Sequence, residues 1–151
     1  MPAEIAFVVD RSGSMAESWP KVKEWLHKAA KAYKLDGNTR KGGFVLWDDH
    51  VHEDKTIRFT DGKTEAELTT IFDSLDLPGG GTNGREALEY TYENLFKTGS
   101  DPSVDRQIIY LSDGQGSSMD EPAKKVWKTG CLIIAKKVSP KIFLMTNLKV
   151  K

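Results

Sequence analysis

Five oxygen-bearing side chains, in three stretches marked by glycine, carry the chemistry that this sequence can do. The first stretch is Asp10-Arg11-Ser12-Gly13-Ser14, the second Pro78-Gly79-Gly80-Gly81-Thr82-Asn83 and the third Asp113-Gly114. Asp10, Ser12, Ser14, Thr82 and Asp113 together offer two carboxylates and three hydroxyls. Hard oxygen donors of this kind suit Mg²⁺ best, with Ca²⁺ or Mn²⁺ as alternatives, rather than zinc or copper. Asp-x-Ser-x-Ser in a tight loop can turn its oxygens to one centre, and three consecutive glycines let the second loop approach without steric conflict. Taken singly, each loop has a plainer reading as an Asx turn, a helix cap or a tight turn. Only the three together argue for a metal.

Other residues stand close enough in sequence to rim such a site. Arg11 and Arg85 can steer an acidic ligand towards a cation, or are ordinary surface charges. Trp19 follows the first loop and is expected partly exposed there. Asn83 and Gln115 border the second and third loops. Asp48, Asp49, His50, His52 and Glu53 form a separate polar cluster. His50 and His52, two apart on one strand face, have a spacing that can chelate a transition metal, or they are the polar side of an edge strand.

Elements that alternate along the chain must position these loops. Glu4 to Asp10 is an apolar run ending in an acid, as a buried strand would. Val22, Trp25, Leu26, Ala29, Ala30 and Tyr33 form one helical stripe, opened by Ser18 and Pro20. Gly43 to Trp47 reads as a second strand and Val51 to Phe59 as a polar edge strand. Asp48 to His50 is too short a link for a crossover, so those two strands are expected as an antiparallel hairpin. Leu68 to Leu75 and Leu88 to Phe96 mark two more helices, the latter ended by Gly99. Gln107 to Ser112 is a strand, Glu121 to Lys128 a short helix, and Cys131 to Ala135 and Ile142 to Met145 two further strands. Cys131 and Trp127 are expected in the core.

This order predicts one α/β domain over residues 1–151. Its sheet is doubly wound, Rossmann-like and mostly parallel, with one antiparallel edge strand and helices on both faces. In such sheets ligands bind beyond the carboxyl ends of the strands, where the winding reverses. All three polar loops are placed to fall there.

The same residues carry a resemblance. Phe7-Val8-Val9-Asp10-Arg11-Ser12-Gly13-Ser14-Met15, then Gly-Gly-Gly-Thr82-Asn83, then Leu-Ser-Asp113-Gly resemble the von Willebrand factor type A domain and its metal-ion-dependent adhesion site. The likeness runs from about Glu4 to Leu148. It implies that Ser12, Ser14 and Thr82 touch the metal, with Asp10 and Asp113 acting directly or through water. An acidic side chain of a protein ligand, collagen or another matrix protein among them, would complete the coordination. The chain departs from the family near its end, where only Lys136 to Lys141 separate two strands. A parallel crossover does not fit there, so a hairpin partner, an irregular edge or a curtailed tail is expected. In integrin-type members a C-terminal helix switches affinity; a shortened C-terminal region implies constitutive binding instead.

Bulk properties agree with a binding module. Twenty-two basic and twenty-two acidic residues cancel, and no patch for nucleic acid or a membrane is visible. No apolar run is long enough to insert in a bilayer. An enzyme is not expected, because the constellation has no nucleophile–base pair and includes none of the three His. The rival class is an Mg²⁺-dependent phosphatase-like hydrolase, but Ser-Gly-Ser stands where a second acid would be needed. GGGTN also lacks the Gly-Lys-Ser/Thr of a nucleotide-binding loop. A lone Cys131 does not decide the compartment. The abrupt entry into the first strand suits a domain excised from a secreted chain, with a cytoplasmic scaffold domain as the alternative.

Overall fold

The computed structural model describes residues 1–76, 78–81 and 83–112, together with three short strands beyond them. β1 (Ala3–Asp10) is buried along all eight residues, which explains its nearly unbroken apolar composition. β2 (Arg40–Trp47) and β3 (Asp105–Ser112) flank it, both parallel, with Asp10 opposite Trp47 and Val9 opposite Leu111. The chain leaves β1 for β2 on one side and returns to β3 on the other. The reversal therefore lies beside the carboxyl end of β1, where the end of β3 is its neighbour.

Alternation along the strands feeds two cores. Ile5, Phe7, Val9, Phe44, Leu46, Ile109 and Leu111 face α1 (Trp19–Ala32) and α2 (Glu65–Asp73), where Val22, Leu26, Leu68 and Phe72 are buried. Phe72 meets Phe7 edge-on at 6.2 Å and Phe44 at 5.5 Å. On the other face Ala6, Val8, Val45, Trp47, Ile108 and Tyr110 pack with Ala87 and Leu88 of α3 (Gly84–Thr91). Trp47 stacks on Tyr110 at 5.5 Å. Helices thus cover both faces, as the sequence order requires.

The helix starts follow their capping chemistry. A 3-10 turn, Gly13–Ser18, carries the chain from β1 into α1, with Pro20 in the first turn of the helix. Thr64 and Glu67 form a reciprocal capping box at α2. Asn83 caps α3, which widens into a π turn over Tyr92–Phe96.

Two edges differ from expectation in detail. The polar run after β2 does lie antiparallel to it, but only through two isolated bridges, Trp47 with Val51 and Phe44 with Ile57. Glu53–Lys55 coil into a 3-10 turn between them, since consecutive polar residues offer no alternating apolar face to hold a ladder. At the far edge β4 (Leu132–Ile134) runs parallel to β3. β5 (Lys137–Ser139) and β6 (Ile142–Leu144) form an antiparallel pair, and β6 also joins β3 at Leu111 and Ser112. A hairpin therefore occupies the short link between the last two expected strands. The expected helix at 121–128, Trp127 and Cys131 lie outside the described residues. No helix among the described residues is long and apolar enough to cross a membrane.

Candidate metal centre

Asp10 ends β1 with its side chain fully buried. The Ser12 backbone N–H donates to Asp10 Oδ1 at 2.7 Å, and the Ser112 hydroxyl donates to Oδ2 at 2.9 Å. These bonds tie the carboxylate to its own loop and to the end of β3. Ser12 is buried, Ser14 is exposed, and their hydroxyl oxygens stand 3.1 Å apart. Metal–oxygen distances of about 2.1 Å in an octahedron place neighbouring ligands about 3 Å apart. The serine pair therefore fits one edge of a hard-cation site.

The glycine-rich loop is fastened to this one by its backbone. Gly79 N–H donates to the Arg11 carbonyl at 3.0 Å and Gly13 N–H to the Gly80 carbonyl at 3.2 Å. Gly80 adopts φ +93°, and a Cβ there would lie 3.2 Å from Asp48 Cγ and from Asp49 Oδ1. A side chain would thus face both strain and crowding. The Asn83 N–H donates to the Asp48 carbonyl at 2.7 Å, closing the loop against the end of β2. Thr82, Asp113 and Gln115 lie outside the described residues.

The proposed rim sorts unevenly. Arg11 Nη1 donates to Asp48 Oδ2 at 3.1 Å, so its guanidinium links the β1 and β2 loops. Arg85 is exposed and bonded to Glu89 on its own helix. The Asn83 side chain serves α3, accepting from Glu86 N–H and donating to the Glu86 carboxylate. Trp19 is a correction: it is 2% exposed and belongs to the α1-face core. The 3-10 turn before it swings the indole inward, onto the stripe of Val22 and Leu26.

One residue that sequence reasoning passed over matters here, and so does one that it placed only in the separate polar cluster. Ser112 positions Asp10, and its signal was a hydroxyl ending an apolar strand beside the switch point. Asp48, buried at the carboxyl end of β2, gathers Arg11, His50 and His52. Burial pushes its carboxyl upward, yet hydrogen bonding with His52, Asp49 and the His50 amide prevails and lowers its pKa from 3.8 to about 2.

Known proteins share this fold. The model of the von Willebrand factor type A domain matches residues 4–141. The chain belongs to that family. The type A domain is 27% identical to mouse (Mus musculus) vitrin over 138 residues, covering 88% of this chain and 20% of vitrin. With guinea-pig (Cavia porcellus) cochlin it shares 26% over 113 residues, covering 74% of this chain and 20% of cochlin. It therefore spans about a fifth of the length of these curated relatives. Among solved structures, proximal thread matrix protein 1 from the mussel byssus, with a zinc-occupied MIDAS motif, superposes with a TM-score of 0.75. That match is 22% identical and covers 88% of this chain and 35% of the byssal chain.

Proposed function

We propose that this type A domain is a non-enzymatic, extracellular protein-binding module whose oxygen site holds Mg²⁺, or alternatively Ca²⁺ or Mn²⁺. Ser12 and Ser14 hold the cation, Asp10 orients and balances it, and Thr82 and Asp113 complete the protein's share. The bound cation supplies a Lewis-acidic position that accepts a carboxylate oxygen from a protein ligand, collagen or another matrix protein. The observation that carries this reading is the 3.1 Å serine pair above a buried carboxylate held by Ser12 N–H and the Ser112 hydroxyl. The matrix protein among its structural relatives supports the extracellular setting. A non-catalytic role is supported by the donor set of the oxygen site, carboxylates and hydroxyls with no histidine among them to move a proton.

Calorimetric titration with Mg²⁺, Ca²⁺ and Mn²⁺ tests the metal, comparing the natural chain with a Ser12→Ala/Ser14→Ala variant. One saturable site that the double variant loses is expected; a flat trace at millimolar metal rejects the reading. Chelator-sensitive capture on collagen and on acidic matrix proteins tests the ligand class. Mg²⁺-dependent turnover of a phosphate monoester, abolished by Asp10→Ala, would instead make the protein a hydrolase.

A further inference from the structure

Beside the oxygen site the structure assembles donors of a different chemical kind. β2 ends at Trp47, and the chain folds back at once. Asp48 N–H donates to the His50 carbonyl at 3.0 Å, and His52 N–H to the Leu46 carbonyl at 2.9 Å. Val51 pairs with Trp47 and is buried, so the residues on either side of it project together. The rings of His50 and His52 stand 4.6 Å apart between centroids. Both imidazoles converge on one carboxylate. His52 Nε2 lies 2.7 Å from Asp48 Oδ2, and His50 Nδ1 lies 3.4 Å from Asp48 Oδ1. One ligand atom from each of the three residues falls within 4.8 Å of the others.

We propose that Asp48, His50 and His52 form a second cation site, selective for zinc-like divalent transition metals and separate from the oxygen site at Asp10. Imidazole nitrogen favours Zn²⁺, Cu²⁺ or Ni²⁺ over Mg²⁺ and Ca²⁺. Zinc bonds of about 2.0–2.1 Å place tetrahedral ligands about 3.4 Å apart. The separation of Asp48 Oδ1 from His50 Nδ1 already has that length. His52 Nε2, 2.7 Å from Asp48 Oδ2, would exchange that hydrogen bond for a bond to the metal. Two His and one carboxylate leave a fourth position, and Asp49 Oδ1, 3.1 Å from His50 Nδ1, stands within reach of it.

The supports that orient metal ligands are also present. The Asp48 carboxylate is backed by Arg11 Nη1 at 3.1 Å. Its carbonyl is held by Asn83 N–H, and Gly80 packs against its carboxyl carbon so closely that a Cβ there would lie 3.2 Å away. The carboxylate is 4% exposed, whereas His50 is 61% exposed, so the cluster opens to solvent on one side. A buried anion with an exposed imidazole at its mouth can take up a metal without rearrangement of the core.

Binding of Zn²⁺, by competition with a chromophoric chelator under saturating Mg²⁺, tests the site on the full chain. The Ser12→Ala/Ser14→Ala variant is expected to keep one zinc equivalent. His50→Ala, at an exposed position where the fold does not depend on the ring, is expected to weaken zinc at least tenfold, as is His52→Gln. Co²⁺ is expected to give the intense visible absorption of a low-coordinate nitrogen site in the serine variant, and to lose it in His50→Ala. Zinc affinity that follows the serines and ignores His50 would assign the ion to the oxygen site and overturn the proposal. So would the absence of any zinc binding or cobalt absorption in the serine variant. Neither result touches Mg²⁺ binding at Ser12 and Ser14, so the two sites fail independently.

Discussion

Glu4 and Asp10 sit six residues apart on β1, on the same face of the same strand, and both are buried. Their surroundings diverge. Glu4 accepts from the Ser100 hydroxyl at 2.5 Å and from the Asp101 N–H at 3.0 Å, and Arg106 donates to Ser100 in turn at 3.4 Å. These bonds latch the loop that enters β3 across the amino end of β1. Asp10 is held by Ser12 N–H and the Ser112 hydroxyl, and from there a row of hydroxyls leads through Ser12 to exposed Ser14. One carboxylate fastens a loop across an end of the sheet; the other lies behind a run of hydroxyls that reaches the surface at Ser14. The lesson is positional: in a parallel sheet a buried acid gains a ligand role where strand ends and diverging loops converge, and a fastening role at the opposite end.

The contrast is broken most directly by removing each acid. Asp10→Ala is expected to weaken Mg²⁺ by about 100-fold, read by calorimetry. Glu4→Ala is expected to lower stability by about 2 kcal/mol, because two hydrogen bonds to a buried charge disappear. Urea unfolding measures this, and the Mg²⁺ affinity of Glu4→Ala should stay within about twofold. If instead Glu4→Ala loses the metal, the two ends are coupled and the division of roles is wrong.

A finer cut keeps Asp10 and removes what aims it. Ser112→Ala deletes the hydroxyl on Oδ2 and leaves the Ser12 N–H on Oδ1. A loss of Mg²⁺ affinity of about tenfold is expected, as for other groups that orient a ligand without touching the metal. An unchanged affinity would mean that the carboxylate is positioned by its own loop alone.

How much of this was legible depended on whether a signal was local. The buried strands announced themselves as apolar runs, and Asp10-x-Ser12-x-Ser14 announced a loop of oxygens, because both are properties of adjacent residues. Ser112 was harder, since its role exists only once β3 lies beside β1 and the hydroxyl meets a carboxylate 102 residues away. Trp19 was misplaced because closeness in sequence to the loop suggested exposure. Its spacing of three and seven from Val22 and Leu26 shows the same core stripe. His50 and His52 were legible as a pair, but the strand expected to carry them is a tight return after β2. That return, not strand alternation, sets both rings on Asp48.

The smallest test acts through the backbone and pits two neighbouring glycines against each other. Gly80 has φ +93°, and its Cβ would meet Asp48 and Asp49, whereas a Cβ on Gly79 would meet nothing within 4 Å. Gly80→Ala is therefore expected to lower stability by about 1 kcal/mol, from left-handed strain and contact with Asp48. Because the Gly80 carbonyl accepts from Gly13 N–H, between Ser12 and Ser14, the same displacement reaches the serine pair. Mg²⁺ affinity should fall about threefold alongside, that is by less than 1 kcal/mol. Gly79→Ala keeps its N–H bond to the Arg11 carbonyl and should change neither quantity. Equal effects at both positions would mean that the loop matters through its chain flexibility. Unequal effects would tie the serine pair to one backbone contact, Gly13 N–H on the Gly80 carbonyl.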